Sequence, residues 1–171
     1  MATLRRDGFA SLEAEEGATS ATPEATTAAA VAVTKPLIFT GRHLFVNFGV
    51  VRTDGGRNTN DSRSEHSGSA ASLVVAVLDV ATAKPIAPFH ASTAVTTDSV
   101  RQLVTWAGGG SGQDLSAVAG KPVRLQFSLA GKGAQLFSFW VSETKCGESN
   151  GYVAAGGKGF KGMSDTNGSC V

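Results

Sequence analysis

Residues 123–129 carry the sequence feature that most constrains the fold of this chain. In the segment VRLQFSL, large apolar side chains alternate with polar ones without a break. Because successive side chains of a β-strand point to opposite faces, this pattern predicts a strand with one buried face and one solvated face. A turn of the form Gly-Lys-Gly at residues 131–133 follows, and it predicts a hairpin into a second strand over residues 134–141. In that second strand we expect Phe137, Phe139 and Val141 to enter the core.

Further strands are predicted on both sides of this pair. Residues 43–48 place Leu44, Val46 and Phe48 on one face. Residues 73–78 are apolar on both faces, which is typical of a central strand. Shorter extended segments are predicted at residues 9–14, 31–39, 86–89 and 101–106, and a single helical turn that ends at Gly120 is predicted at residues 114–120.

The composition agrees with an all-β chain and excludes two classes of partner. The 171 residues are 42% hydrophobic and only 17% charged, with a formal net charge of +1. A charge so near zero argues against a nucleic-acid binder and against a polybasic membrane-surface protein. Short strands separated by turns every 8 to 12 residues or so are typical of a β-sandwich. The predicted fold is therefore a two-sheet antiparallel β-sandwich, jelly-roll-like or concanavalin-like, with long flexible loops.

One domain accounts for most of the chain. We predict a single β-sandwich over residues 1–160 and a C-terminal tail over residues 161–171. Residues 15–30 are rich in Ala, Thr and Glu, and residues 52–70 are rich in Ser, Gly and Asn, so we expect disordered loops in both places. A short Ala-rich helix is the alternative for the first of these loops.

The sequence leaves the cellular compartment open. No apolar run approaches the ~18 residues of a membrane helix, and residues 1–14 lack the apolar core of a secretory signal. The chain either stays inside the cell or is a fragment whose signal lies upstream. The two cysteines, Cys146 and Cys170, allow one pairing, and either a disulfide or two free thiols is compatible with the sequence.

No catalytic constellation stands out. The glycine run at residues 108–112 lacks the Lys-Ser/Thr pair of a phosphate loop, so it predicts a turn. The three histidines are scattered without the spacing of metal ligands. The candidate acids lie beside turn signals, where Asp favours hydrogen bonds to the backbone. They are Asp7, Glu13, Asp79, Asp98 and Asp114. We therefore predict no catalytic residue, no metal site and no cofactor.

One face of the predicted sandwich is a candidate binding surface. If Phe137, Phe139 and Val141 face the core, Trp140 lies on the opposite face with Leu136 and Ser138. Such a face is suited either to packing against another domain or to stacking a sugar ring on the indole. The candidate ligand-binding residues are Trp140, Arg101, Gln102 and Asn47, although Arg101 beside Asp98 is also compatible with a plain surface salt bridge.

An ordered set of strings links this chain to a known family. They are RRDGFASL (5–12), TKPL (34–37), GRHLFVN (41–47), VLDV (77–80), KPI (84–86), DSVRQ (98–102), TW (105–106), DLSAVAGKPVR (114–124) and LFSFWVS (136–142). In this order they resemble the C-terminal β-sandwich that follows the five-bladed propeller in bacterial proteins related to glycoside hydrolase family 32. The resemblance runs from Arg5 to about Phe160.

The resemblance implies an accessory role. In that family the propeller carries the catalytic acids and the sandwich packs against it, so no catalytic residue is carried over to this chain. Residues 5–9 would lead from the propeller into the first strand. The chain departs from the family in lacking the propeller, in its two loop insertions and in its two-Cys tail.

Three functions are therefore compatible with the sequence. The first is a non-catalytic sandwich that packs on a catalytic propeller, which would be extracellular if the chain belongs to a secreted glycosidase. The second is a free-standing lectin-like module that binds a polysaccharide. The third is a small hydrolase in its own right.

Overall fold

Seven β-strands and one short 3-10 helix build the part of the chain that the computed structural model describes, which is residues 8–13, 30–51, 71–106 and 114–147. The helix, Leu115–Ala117, lies between the fifth and sixth strands. The strands are β1 (Leu12–Glu13), β2 (Ala30–Val33), β3 (His43–Val50), β4 (Ser72–Asp79), β5 (Ser99–Leu103), β6 (Val123–Ala130) and β7 (Ala134–Ser142).

The predicted disordered loops and the predicted tail fall elsewhere in the chain. Residues 15–29, residues 52–70 and the tail over residues 161–171 lie outside the described residues. Ala30, expected at the end of the first loop, instead begins β2.

The strands form two antiparallel sheets. The four-stranded sheet has the order β1-β7-β3-β5, and the three-stranded sheet has the order β2-β6-β4. The prediction of an all-β, two-sheet antiparallel sandwich is thereby confirmed. Along the chain the strands alternate strictly between the sheets, since every odd-numbered strand lies in one and every even-numbered strand in the other.

This alternation corrects the predicted hairpin at residues 131–133. Strand β6 pairs with β2 and β4, whereas β7 pairs with β1 and β3, so the Gly-Lys-Gly turn carries the chain from one sheet to the other. Alternation of apolar and polar residues predicts a strand, but it does not show which other strand will pair with it. Here β6 and β7 face each other across the core instead of sharing an edge.

The core lies between the sheets and is built from the inward faces of both. From the four-stranded sheet, Leu44, Val46 and Phe48 are completely buried, which confirms the face predicted for β3. From the three-stranded sheet, alternate residues of β6 and β4 meet them. The core includes Leu73, Val75, Val77, Val123, Leu125, Phe127 and Leu129.

Strand β4 does not have the central position that its sequence predicted, because β6 lies in the middle of its sheet. Residues 84–95 nevertheless follow the other edge of β4 with backbone hydrogen bonds. The Val77 amide donates to the Phe89 carbonyl at 3.0 Å, and the Ser92 amide donates to the Val75 carbonyl at 2.8 Å. An irregular segment therefore flanks this edge of β4, and its backbone groups pair with those of β4 as a neighbouring strand would.

A bulge in β7 overturns part of the predicted face assignment. Asn47 opposes Ser138, but the next residue of β3, Phe48, opposes Leu136, so β7 carries one extra residue at Phe137. The extra residue reverses the alternation. Leu136, predicted on the outside with Trp140, is in the core with only 4% of its surface exposed.

The same bulge decides where the predicted core residues of β7 lie. Phe137, expected in the core, is the extra residue; it is half-buried and opposes no residue of β3. Phe139 opposes Val46 and Val141 opposes Leu44, so both share the core face. Val141 is half-buried and packs on the core, whereas Phe139 keeps 36% of its surface exposed. The predicted apolar face formed by Leu136 and Trp140 does not exist.

Candidate functional site

Trp140 lies on the outer face of the four-stranded sheet, where it forms half of an aromatic stack. It opposes Phe45 across the β3–β7 pair, and the two rings stack with centroids 5.6 Å apart and planes 13° apart. Phe45 is 3% exposed, whereas Trp140 is only half-buried. The pair therefore forms an apolar surface on the outside of the sheet.

The chain that leaves β7 returns onto this stack. The indole N–H of Trp140 donates to the Gly147 carbonyl at 3.1 Å. Gly147 has φ of +71°, and a Cβ built there would lie 2.7 Å from the Phe45 ring. Only glycine allows this close approach without displacing the ring or straining the backbone. Residues 143–147 thus form a cap, which we call the β7 cap, over the aromatic pair.

The other predicted ligand-binding residues fall into three different settings. Arg101 is on the same side as Trp140, since its Cδ lies 3.0 Å from the position that a Cβ would take at Gly147. Gln102 opposes Val46, a core-face residue, and its side-chain amide donates to the Leu103 carbonyl at 3.2 Å. Asn47 shares the outer face but is only 1% exposed. The structure therefore brings Trp140 and Arg101 together and leaves Gln102 and Asn47 away from the accessible surface beside them.

Cys146 is the residue of the β7 cap that precedes Gly147, and it is disulfide-bonded. Its backbone amide donates to the Thr144 hydroxyl at 3.2 Å. Cys170, the other cysteine of the sequence, lies outside the described residues.

Two of the candidate acids are engaged in turns. Asp79 ends β4 and accepts hydrogen bonds from the Thr82 amide, the Thr82 hydroxyl and the Ala81 amide, which together lower the pKa of its carboxyl group. Asp114 caps the 3-10 helix, and the hydroxyl and amide of Ser116 lower its pKa. Both acids are therefore held ionised, whereas a general acid of a glycosidase needs a raised pKa.

Neither a metal-binding cluster nor a membrane-spanning helix occurs in the described residues. Among residues 8–13, 30–51, 71–106 and 114–147, no three His, Cys, Asp or Glu side chains lie close enough together to hold a metal ion. The same part of the chain contains no helix of the length and apolarity needed to cross a membrane.

Two further features of the sandwich were not predicted from the sequence. The first is an apolar cavity of about 470 Å³ that opens between the sheets at the edge formed by β1 and β2. Extended segments were predicted near β1 and β2, but the position of these two strands side by side at one edge depends on the sheet order.

The second feature is a valine face on the outside of the three-stranded sheet. Val31 and Val33 of β2 are 57% and 49% exposed. Val31 and the half-buried Val74 of β4 both oppose Ser128 of the intervening strand, so Val74 continues the row. We call Val31, Val33 and Val74 the valine face.

Comparison of the chain with models of protein families, with curated proteins and with solved structures gave no match.

Proposed function

We propose that this chain is a non-catalytic accessory β-sandwich, like the C-terminal module of propeller proteins related to glycoside hydrolase family 32, and that it packs on a catalytic propeller. The observation that carries the proposal is the valine face. Two neighbouring valines on an edge strand expose about half of their surface each, although β-branched side chains contribute most to stability when they are buried. Exposed apolar groups that lie side by side support contact with a partner, because a partner would remove them from water.

The position of the valine face supports a partner at the start of the sandwich. Strands β1 and β2 line one cavity, so they lie at the same side of the molecule. The resemblance to the family implies that residues 5–9 lead from the propeller into β1. A propeller attached there would stand beside the valine face. On this proposal the chain works outside the cell as the support of a secreted glycosidase.

Two double variants test whether the valine face is the contact surface. We expect Val31→Ser with Val33→Ser to weaken binding to the propeller, or self-association of the isolated chain, by about tenfold or more, because each serine removes apolar area from the contact. Val51→Ser with Val100→Ser is the matched control, since these valines are 43% and 41% exposed and lie outside the valine face. Sedimentation velocity measures both.

The transcript upstream of the Met1 codon tests the family assignment. An in-frame propeller domain upstream supports the proposal. Absence of such a frame, together with a monomeric chain that the two valine substitutions leave unchanged, contradicts it.

A lectin-like module is the second candidate function. The half-buried indole of Trp140 with the Arg101 stem beside it favours this role, because aromatic rings stack on the C–H faces of sugars and guanidinium groups donate to sugar oxygens. Retardation in gels that contain a polysaccharide should disappear in Trp140→Ala and persist in Val100→Ser. Equal migration of the wild type and Trp140→Ala across a broad panel of polysaccharides rejects this role.

A further inference from the structure

The cavity at the β1/β2 edge is a cleft with walls from both sheets. From the four-stranded sheet, Leu12 opposes Leu136, so both side chains share the inward face, and Phe139 lies on the same face. From the three-stranded sheet, Ala32 opposes Phe127 and faces them. At this edge the small side chain of Ala32 stands where a larger residue would fill the space between the sheets, and the cleft results.

The exposure of its walls shows that the cleft is open to solvent. Leu12 is 51% exposed and Phe139 is 36% exposed, although both belong to inward faces. Phe127 is almost completely buried and stands at the inner end, with its ring centroid 5.0 Å from that of Phe139. The surface thus runs from an exposed rim to a buried aromatic base.

The chemistry of the lining selects an uncharged occupant. The eleven lining residues include three phenylalanines and no Asp, Glu, Lys, Arg or His. Three lining residues carry hydroxyls. Ser11 donates to Glu13, and Thr34 accepts from the Leu125 amide at 3.0 Å. The Ser138 oxygen is completely buried and has no hydrogen-bond partner among the described residues. A charged group placed here would lose its hydration without finding a partner.

The volume of the cleft sets the size of the occupant. An apolar protein cavity of ~150 Å³ holds one benzene molecule, and typical ligand pockets enclose about 300–1,000 Å³. At about 470 Å³ the cleft has room for two or three aromatic rings, which is more than one protein side chain supplies. We propose that this cleft is a binding site for a neutral, multi-ring aromatic molecule. The inference does not depend on the accessory role, since Ala32 faces the cleft and Val31 lies on the outer face of β2. Val33 belongs to the valine face and also lines the cleft, so the tests of the cleft leave Val33 unchanged.

Two fluorescent probes that share one carbon skeleton test the proposal on the full chain. N-phenyl-1-naphthylamine is neutral and has three aromatic rings, whereas 8-anilinonaphthalene-1-sulfonate has the same rings and one negative charge. We expect the neutral probe to bind saturably at one site per chain, with increased and blue-shifted emission. The sulfonated probe should bind at least about tenfold more weakly, because the uncharged lining offers it no counter-charge.

Substitutions in β2 supply the matched controls. Ala32→Phe places a ring inside the cleft and should weaken binding of the neutral probe by about tenfold or more. Val31→Phe adds the same ring one residue away on the outer face and should leave binding unchanged. Phe139→Ala removes a wall of the cleft, so it should also weaken binding and serves if Ala32→Phe does not fold.

Several outcomes overturn the proposal. The cleft is not a binding site if the wild type gives no saturable signal. The proposal also fails if both probes bind equally, or if Val31→Phe weakens binding as much as Ala32→Phe. These results leave the accessory role intact, because that role is tested by the valine pair and by the upstream reading frame.

Discussion

The two outer faces of the sandwich differ in whether their apolar side chains are buried. On the four-stranded sheet, Phe45 is 3% exposed because Trp140 stacks on it and the β7 cap closes over the pair. On the three-stranded sheet, Val31 is 57% exposed and the described chain brings no cap onto it. Apolar side chains outside the main core are therefore stabilised by the chain itself on one face and left available to a partner on the other.

The largest expected effect is a difference in the free energy of unfolding between a substitution on each outer face. Phe45→Ala removes a buried ring and its stacking partner's contact, so we expect it to lower the free energy of unfolding by about 4 kcal/mol. Val31→Ala removes two methyl groups from an exposed position and should change it by no more than about 0.5 kcal/mol. Urea unfolding followed by circular dichroism measures both. Equal losses of unfolding free energy in the two variants would show that the outer faces do not differ in how their apolar side chains contribute to stability.

Two glycines test whether close packing, and not only backbone conformation, holds the β7 cap. Gly147 and Gly120 have nearly the same φ, +71° and +74°, but only at Gly147 would a Cβ meet other atoms. We expect Gly120→Ala to cost about 1 kcal/mol through backbone strain alone. Gly147→Ala should cost about 2 to 3 kcal/mol, because the methyl group also displaces the Phe45 ring.

Thermal or urea unfolding of the two alanine variants measures the difference in their free energies of unfolding. A loss at Gly147 no larger than that at Gly120 would show that the Phe45 ring moves aside freely.

The smallest expected effect compares two acids, one beside each sheet. The folded pKa of Asp79 and of Asp114 is lowered, chiefly by hydrogen bonds from Thr82 and Ser116 respectively. Each acid therefore contributes stability above its unfolded pKa of about 3.9, and that contribution is lost as the pH falls through the lower folded pKa. Only Asp114 also feels the charges of His43 and Arg42.

Carboxyl NMR titrations at low and high salt distinguish the two acids. We expect about 1 M salt, where the Debye length is ~3 Å, to raise the pKa of Asp114 slightly and to leave that of Asp79 unchanged. An equal response of both would mean that the charges beside Asp114 have no effect on it.

The parts of the fold that were predictable from the sequence are those that depend on neighbouring residues. Alternation in β6 and β3 identified their core faces, and Asp114 with Gly120 marked a helical turn that the structure contains. The pattern failed at Phe137, where one extra residue reversed the faces of β7 and moved Leu136 into the core. Nothing in a run of apolar residues shows where a bulge interrupts the alternation.

The candidate site was predictable only in part, for the same reason. Trp140 was correctly expected on the outer face, and Arg101 lies beside it. Gln102 and Asn47 were expected with them, but the pairing with β3 places Gln102 on the other side and burial covers Asn47. The stack on Phe45 required the register of β3 against β7, two strands that lie far apart in the chain.

The sequence by itself determined that this protein is all-β and which residues form most of its strands, because the period of side-chain direction is a local property of the backbone. Tertiary structure alone decided the pairing of the strands, and it placed β6 and β7 in different sheets where a hairpin was expected. It also decided that Gly147 closes over Phe45, that Val31 and Val33 stay exposed, and that Ala32 leaves a cleft between the sheets. These outcomes depend on contacts between distant segments, and the sum of packing over the whole chain selects them.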